Sequence, residues 1–286
     1  MIDLQPKQSL GQNFLMDENI TRKMIRGLNL KSTETIIEVG CGKGMLTKYL
    51  LKGANDVIGI EIDRRLIALL RTQFSNISNF HLVQADILEY DWHLLPSHSR
   101  LVGNLPFHIT SPFLFKFFEF HRHFEDATIM VQKEVADRIT ADSGTKEYGI
   151  LSVFSQFFCD VKKCFPVSRN CFYPKPKVDS TVIRLTVKPN LPKVDLKTFT
   201  ELVKRTFNQR RKMLRVTLKD MIENKPGPLE IHNNLFHRNP SIVTNKLTWS
   251  RFSNVAFDFE QRPEQLSVND FVHLASLFSQ SNHFPV

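Results

Sequence analysis

Between residues 34 and 160 short apolar runs alternate with stretches of helical spacing. "TIIEV" (35 to 39), "DVIGIEI" (56 to 62), "FHLVQ" (80 to 84), "RLVGN" (100 to 104) and "ATIMV" (127 to 131) have the length and β-branched content of buried strands. "MLTKYLLKG", "RRLIALLRTQF" and "SPFLFKFFEF" between them carry helical periodicity. Strand–helix alternation of this kind predicts an α/β fold, a parallel sheet with helices on both faces. "VDSTVIRLTV", 178 to 187, alternates with period two and predicts one more strand. The polar, proline-bearing "KPNLPKVD", 188 to 195, reads as a boundary. It divides the chain into residues 1–190 and a mostly helical remainder, 191–286. Near the end, Ser267 and Asp270 in "LSVNDFVHLASLF" form a capping-box pattern at a helix start. Residues 224–247, rich in Asn and Pro, fit no element.

The alternating segments also place chemistry. "IIEVGCGKGMLT" is a strand followed by Gly40, Gly42 and Gly44 at the start of a helix, where glycine permits a tight turn and close approach of a ligand. A dinucleotide loop wants GxGxxG, but Met45 stands at its last glycine. GxGxG fits a cofactor with no pyrophosphate to cradle, such as S-adenosyl-L-methionine. Glu61 closes the second strand, where an acid accepts ribose hydroxyls. Asp86, in "VQADIL", follows the third, placed to accept from an adenine amine. Either acid alone is an ordinary strand-end residue; three strand ends carrying the expected group together are not.

The fourth strand ends in "NLPF". An exocyclic adenine amine is a poor nucleophile because its lone pair is delocalised into the ring. The Asn104 side-chain oxygen and the Leu105 carbonyl form a pair of acceptors that hold its hydrogens and rehybridise the nitrogen. Pro106 stiffens the turn. Phe107 offers a face for the base, though in a chain with 24 Phe residues a core role is the plain alternative.

Composition narrows the class. The chain has 286 residues, 42% of them hydrophobic and 23% charged, as expected of a folded protein with one larger and one smaller domain. No apolar run approaches the ~18 residues of a membrane span, and the N-terminal segment lacks the pattern of a secretory signal. The four cysteines show neither paired nor metal-ligand spacing, so reduced thiols in a cytoplasmic protein are expected, with no metal site. The net charge of +9 becomes informative through clustering. "LVKRTFNQRRKMLRVTLK" carries Lys204, Arg205, Arg210, Arg211, Lys212, Arg215 and Lys219 with no acid between them. Lys204, Arg211, Arg215 and Lys219 are spaced as one stripe of a helix, beside an apolar stripe of Phe199, Val203 and Phe207. Solvated faces usually mix signs, so this run predicts a nucleic-acid surface.

Taken together, "KQSLGQNFLMDENI", "IEVGCGKGMLT", "GIEID", "QADIL", "GNLPFHITSP", "VQKEVADRI", "YGILSV", "FYPKPKVDSTVIRL", "FNQRRKMLR" and "RPEQLSVNDF" resemble the ribosomal small-subunit rRNA adenine N6,N6-dimethyltransferase family (KsgA-type). The resemblance implies a Rossmann-like class I methyltransferase sheet and a small all-helical C-terminal domain. It implies that Asn13 and Leu15 help close over the cofactor, and that Gly40, Gly42, Glu61, Asp86 and Asn104 complete its site. It implies as substrate two adjacent adenosines in a hairpin near the 3′ end of the rRNA, within the small-subunit precursor. A monomer working in ribosome biogenesis is expected. The family's usual tetrapeptide ends in Tyr where this chain has Phe107. Three rivals stand beside this reading: the large-subunit adenine methylases of macrolide resistance, an RNA-binding assembly factor without catalysis, and a small-molecule methyltransferase.

Overall fold

The computed structural model describes residues 4–222 and 257–280, with the side chains of Asp220 and Gln280 left aside. The stretch 224–247 therefore lies outside the described residues. By its internal contacts the chain divides into two units. The first joins residues 1–140 to 158–188. The second joins residues 141–157 to the chain from Pro189 onward.

The first unit opens with β1 (Phe14–Leu15) and α1 (Glu18–Leu28). β2 (Thr35–Val39), α2 (Thr47–Gly53), β3 (Asp56–Glu61), α3 (Arg64–Gln73) and β4 (Phe80–Gln84) follow. Next come β5 (Ser99–Asn104), α4 (Thr110–Glu119), β6 (Phe124–Gln132) and α5 (Lys133–Ile139). After the segment given to the second unit, β7 (Cys159–Val167), β8 (Phe172–Tyr173) and β9 (Ser180–Val187) complete it. Seven strands make one sheet in the order β4-β3-β2-β5-β6-β9-β7. β2 to β6 are mutually parallel, as the strand–helix alternation predicts. Successive buried residues along β2, β5 and β6 mean that both faces of the sheet are covered.

The all-parallel expectation needs one correction. β9 runs antiparallel to both β6 and β7, so the sheet is mixed. β7 has no counterpart in the sequence reading, and its chemistry explains why. An edge strand faces water and tolerates lysine and proline, and "CDVKKCFPV" carries Lys162, Lys163 and Pro166 with a register shift near Phe165. Among the described residues β1 and β8 pair only with each other, Phe14 opposite Tyr173 and Leu15 opposite Phe172.

One cluster of the core is aromatic, while another, with Met24, Leu28, Ile36, Leu50 and Val57, is mostly aliphatic. Trp92 packs on Phe113, Phe120 and Phe124 with ring centroids 5.6, 5.7 and 5.5 Å apart. At the N-terminal ends of the strands, the Arg100 guanidinium donates to Asp126 at 3.1 and 3.2 Å, to Glu34 at 2.9 Å and to the Leu28 carbonyl at 2.9 Å. A second cation, Arg184, reaches Asp126 from β9.

The second unit holds α6 (Ile150–Phe158) up to Phe157, α7 (Leu196–Asn208), α8 (Leu214–Thr217), α9 (Lys219–Ile222) and α10 (Val268–Gln280). The apolar stripe predicted on α7 is its packing face. Phe199 meets Phe157 at 4.4 Å and Phe154 at 5.9 Å; Phe207 meets Tyr148 at 6.0 Å and Phe271 at 5.8 Å. These contacts draw residues 141–157 into the second unit, a difference from a single cut at 190. The apolar run there predicts burial but not against which partner. The capping box forms as read: the Asp270 carboxylate accepts from the Ser267 amide at 2.8 Å, and the Asp270 amide donates to the Ser267 hydroxyl at 3.2 Å. Among the described residues no helix is long and apolar enough to cross a membrane.

Candidate active site

Leaving β2, the chain must turn at once and admit neighbours. Gly40, Gly42 and Gly44 sit at φ of +72°, +57° and +78°, a left-handed region that costs other residues about 1–2 kcal/mol each. The turn is wired to β3: the Gly40 amide donates to the Ile60 carbonyl at 2.8 Å, and the Gly42 amide to Glu61 Oε2 at 2.9 Å. Gly44 is also a packing residue. A Cβ there would stand 2.9 Å from the Phe74 ring and 3.1 Å from Leu70, at the end of α3.

Glu61 is 5% exposed, and its second oxygen accepts from the Asp63 amide at 2.9 Å. Burial raises its carboxyl pKa, while the amides of Asp63 and Gly42 pull the other way. Asp86 lies just beyond β4, with Oδ1 accepting from the Leu88 amide at 2.8 Å. Lys116, on α4, donates to the carbonyls of Leu88 at 2.5 Å and Tyr90 at 2.7 Å and fixes the loop after Asp86.

A third acid was not singled out from the sequence. Glu38, on β2, is 1% exposed; Oε2 accepts from the Thr47 hydroxyl at 2.6 Å. Its Oε1 is buried without a hydrogen-bond partner among the described residues. Burial pushes the carboxyl up to about 8, and the charge of Glu61 adds to the rise. An acid in the middle of "TIIEV" is the sequence cue, since carboxylates are almost never fully buried without a partner.

β5 delivers Asn104 to the same edge. Its Nδ2 donates to the Asn13 carbonyl at 3.0 Å, which turns Oδ1 into the acceptor on the other side. The strand can end there only because of Gly103, where a Cβ would stand 2.6 Å from the Val39 carbonyl oxygen of β2. Leu105 is 2% exposed; Pro106, at φ −54° and ψ 135°, leads into a 3-10 turn over Phe107–Ile109. Phe107 is half-buried, unlike the enclosed Phe113 and Phe117 of α4.

These groups share one cleft of ≈ 200 Å³. Its walls include Gly40, Gly42, Glu61, Asp86, Asn104, Leu105, Pro106 and Phe107, and also Glu38 and Phe172. Asn13 and Leu15 belong to it too, within the run Leu10–Leu15 that forms one wall. Asn13, Leu15, Gly40, Gly42, Glu61, Asp86 and Asn104 thus meet at the C-terminal edge of the parallel strands, where open α/β sheets place ligands, while Gly44 packs against α3 outside the cleft lining.

The basic run is arranged differently from expectation. α7 ends at Asn208, and Gln209, at φ −123° and ψ 47°, leaves the helical region. Lys204, Arg211, Arg215 and Lys219 therefore do not form one helical stripe. The break is held by Arg210, which donates to Glu264 at 2.6 Å and to the carbonyls of Lys146 at 2.7 Å and Thr145 at 3.0 Å. Its donors serve the fold of the second unit. Arg205 pairs with Glu201 at 3.2 Å, and burial lowers the pKa of Lys204. Arg211, Lys212 and Arg215 remain exposed, the last paired with Glu260 at 3.1 Å.

Comparison with known proteins covers nearly the whole chain. The family model described as ribosomal RNA adenine dimethylase matches residues 4–241. The ribosomal RNA small subunit methyltransferase A of Hahella chejuensis is 36% identical over 95% of this chain and 92% of its own length. The protein of the same name from Francisella tularensis subsp. novicida is 38% identical over 96% and 97%. Among solved structures, a dimethyladenosine transferase from Plasmodium falciparum superposes with a TM-score of 0.79 at 28% identity, covering 94% of this chain and 98% of that one. The mixed seven-stranded sheet is accordingly Rossmann-like, and a reaction drawing on a methyl donor is implied. With the cleft at the strand ends and this breadth of similarity, the chain belongs to the ribosomal RNA adenine dimethylase family.

Proposed function

We propose that this protein is an S-adenosyl-L-methionine-dependent dimethyltransferase acting on the N6 amines of two adjacent adenosines. The substrate is a hairpin near the 3′ end of small-subunit rRNA, met in the subunit precursor in the cytoplasm. The observation that carries this reading is the convergence of the glycine turn, Glu61, Asp86 and the Asn104–Phe107 turn in one cleft.

The residues suit that donor. Glycines at positive φ leave a cradle that side chains would fill, and the unpartnered Glu38 Oε1 suits the ammonium of an amino-acid moiety. Glu61 would hold the ribose hydroxyls and Asp86 the adenine amine, with Asn13 and Leu15 on the covering wall. Bound there, S-adenosyl-L-methionine supplies a methyl group already activated on sulfur. The chain's share is positioning. Asn104 Oδ1 and the Leu105 carbonyl accept the two hydrogens of the target amine and aim its lone pair. Pro106 holds that carbonyl in place, and Phe107 stacks on the base.

The test is to incubate labelled donor with immature small and large ribosomal subunits separately. N6,N6-dimethyladenosine confined to small-subunit RNA is expected. Product confined to large-subunit RNA would transfer the assignment to the macrolide-resistance type.

If Phe107 works through its π-face, Phe107→Tyr keeps most activity and Phe107→Ala loses about 5- to 150-fold, the range of ~1–3 kcal/mol per stacked base. Equal rates in Phe107→Ala and wild type would make the ring a packing residue.

For RNA contact the exposed Arg211, Lys212 and Arg215 are the candidates; Lys204, Arg205 and Arg210 are committed to the fold or half-buried. Arg211→Gln with Lys212→Gln should reduce the log–log salt slope of RNA binding by about 1.5 units, at ~0.7–0.9 per phosphate. Donor affinity should stay as it was. An unchanged slope would return this loop to ordinary solvated surface.

A further inference from the structure

Asp63 stands two residues beyond Glu61 and is the N-cap of α3, where its Oδ1 accepts from the Arg65 amide at 3.1 Å. A cap needs no more than that bond. Yet this carboxylate has a side chain of 0% exposure and draws partners from far away in the chain. Gln12 donates to Oδ2 at 3.0 Å and Lys7 to Oδ1 at 3.4 Å, from 51 and 56 residues upstream. The Arg65 guanidinium donates to Oδ2 at 2.7 Å and to Oδ1 at 3.1 Å and, with its third nitrogen, to the Gln5 carbonyl at 3.2 Å. The arm itself is closed by a bond from the Lys7 amide to Gln12 Oε1 at 2.7 Å.

We infer that Asp63 is a positioning residue of the donor site, a latch that fastens the arm Gln5–Gln12, whose end from Leu10 onward lines the cleft. The same residue also holds Glu61 through its amide. One rigid unit therefore sets both the ribose-facing acid and the covering segment. The Arg65 guanidinium holds the Asp63 carboxyl well below the usual carboxylate range, so the latch stays charged across the working pH. Oriented Asn13 follows directly from it, since Asn13 hangs on the end of the latched arm and its carbonyl anchors Asn104. This inference rests on the donor reading for its functional meaning.

Asp63→Asn is the informative variant, because asparagine caps a helix as well as aspartate does while losing the charge that Lys7 and Arg65 meet. Trypsin cleavage after Lys7, read as release of peptide 1–7 from the full-length protein without ligand, should be about tenfold faster or more. That is the scale of a lost charge-assisted hydrogen bond. Calorimetry should show S-adenosylhomocysteine bound about tenfold more weakly, and in turnover the KM for the donor should rise by more than kcat falls. Gln12→Leu, which removes one partner from the arm side, should move both readouts the same way by at least about threefold. Unchanged peptide release and affinity in both variants would overturn the latch. So would a lower thermal midpoint in Asp63→Asn with peptide release and S-adenosylhomocysteine affinity unchanged, which describes a contribution to the fold and nothing more. Faster peptide release together with a wild type that ignores S-adenosylhomocysteine would support the latch and remove the donor reading instead.

Discussion

Asn104→Ala should slow both methyl transfers about 10²- to 10³-fold, the range for loss of a preorganised hydrogen-bonding group at a reacting centre. Two effects add. The amine loses the acceptor that orients it, and the Asn13 carbonyl loses its donor, so the covering wall is less fixed. The second transfer is the more exposed of the two. A monomethylated nitrogen has one hydrogen left and must choose between the Asn104 oxygen and the Leu105 carbonyl while its methyl turns away from the donor. Monomethyladenosine should therefore accumulate in the variant for longer than in wild type. A time course by nucleoside mass spectrometry separates the steps. A loss below about tenfold in both would make Asn104 an ordinary strand-end residue.

Arg100→Met should cost about 3 kcal/mol of stability, the low end for a broken buried pair, because it leaves the buried Asp126 with Arg184 alone and the half-buried Glu34 without its guanidinium. Arg100 is 3% exposed and serves Asp126, Glu34 and the Leu28 carbonyl together. Arg184 still reaches Asp126, while Glu34 keeps the Lys31 amide at 3.0 Å. Urea unfolding gives the midpoint shift. Asp126→Leu added to Arg100→Met should recover part of the loss, since an apolar replacement of a buried pair is often close to neutral. A single-variant loss under about 1 kcal/mol would show that water reaches this network. Because Arg100 and Asn104 occupy opposite ends of β5, kcat at low temperature should stay near normal.

What could be read from the residues follows from what burial does to a sequence. β2, β3, β5 and β6 are largely buried and show as apolar runs, and the edge strand β4 keeps a short one, so their positions, and the groups at their C-terminal ends, were legible. Gly40, Glu61, Asp86 and Asn104 stand at strand ends and inherit that clarity. β7 was not legible, because an edge strand with Lys162, Lys163 and Pro166 resembles a loop. β1 and β8 have two residues each, too few for any periodicity. The break after α7 was missed because heptad-like spacing of cations continues across it. Only the tertiary partner Glu264, 54 residues away from Arg210, shows why the helix stops. Glu38 hid inside a strand whose pattern otherwise reads as core. Asn13 and Leu15 came from family resemblance alone, since no local pattern links an N-terminal arm to a cleft built from later strands.

The discontinuous second unit has a consequence for how the chain is made. Tyr148, Phe154 and Phe157 leave the ribosome before Phe199 and well before Phe271, the rings that they or Phe207 pack with. β7 faces a similar wait, for among the described residues its sheet neighbour is β9. At ~5–20 residues per second, several seconds pass between the emergence of the first aromatic cluster and that of α10. During that interval an apolar segment stands uncovered on the nascent chain, which is the situation that recruits chaperones or favours association between growing chains. Cutting the gene at codon 190 would make the exposure permanent in one fragment and leave α7 without Tyr148, Phe154 and Phe157 in the other. A second unit meant to fold by itself would need residues 141–157 joined to its own N-terminus.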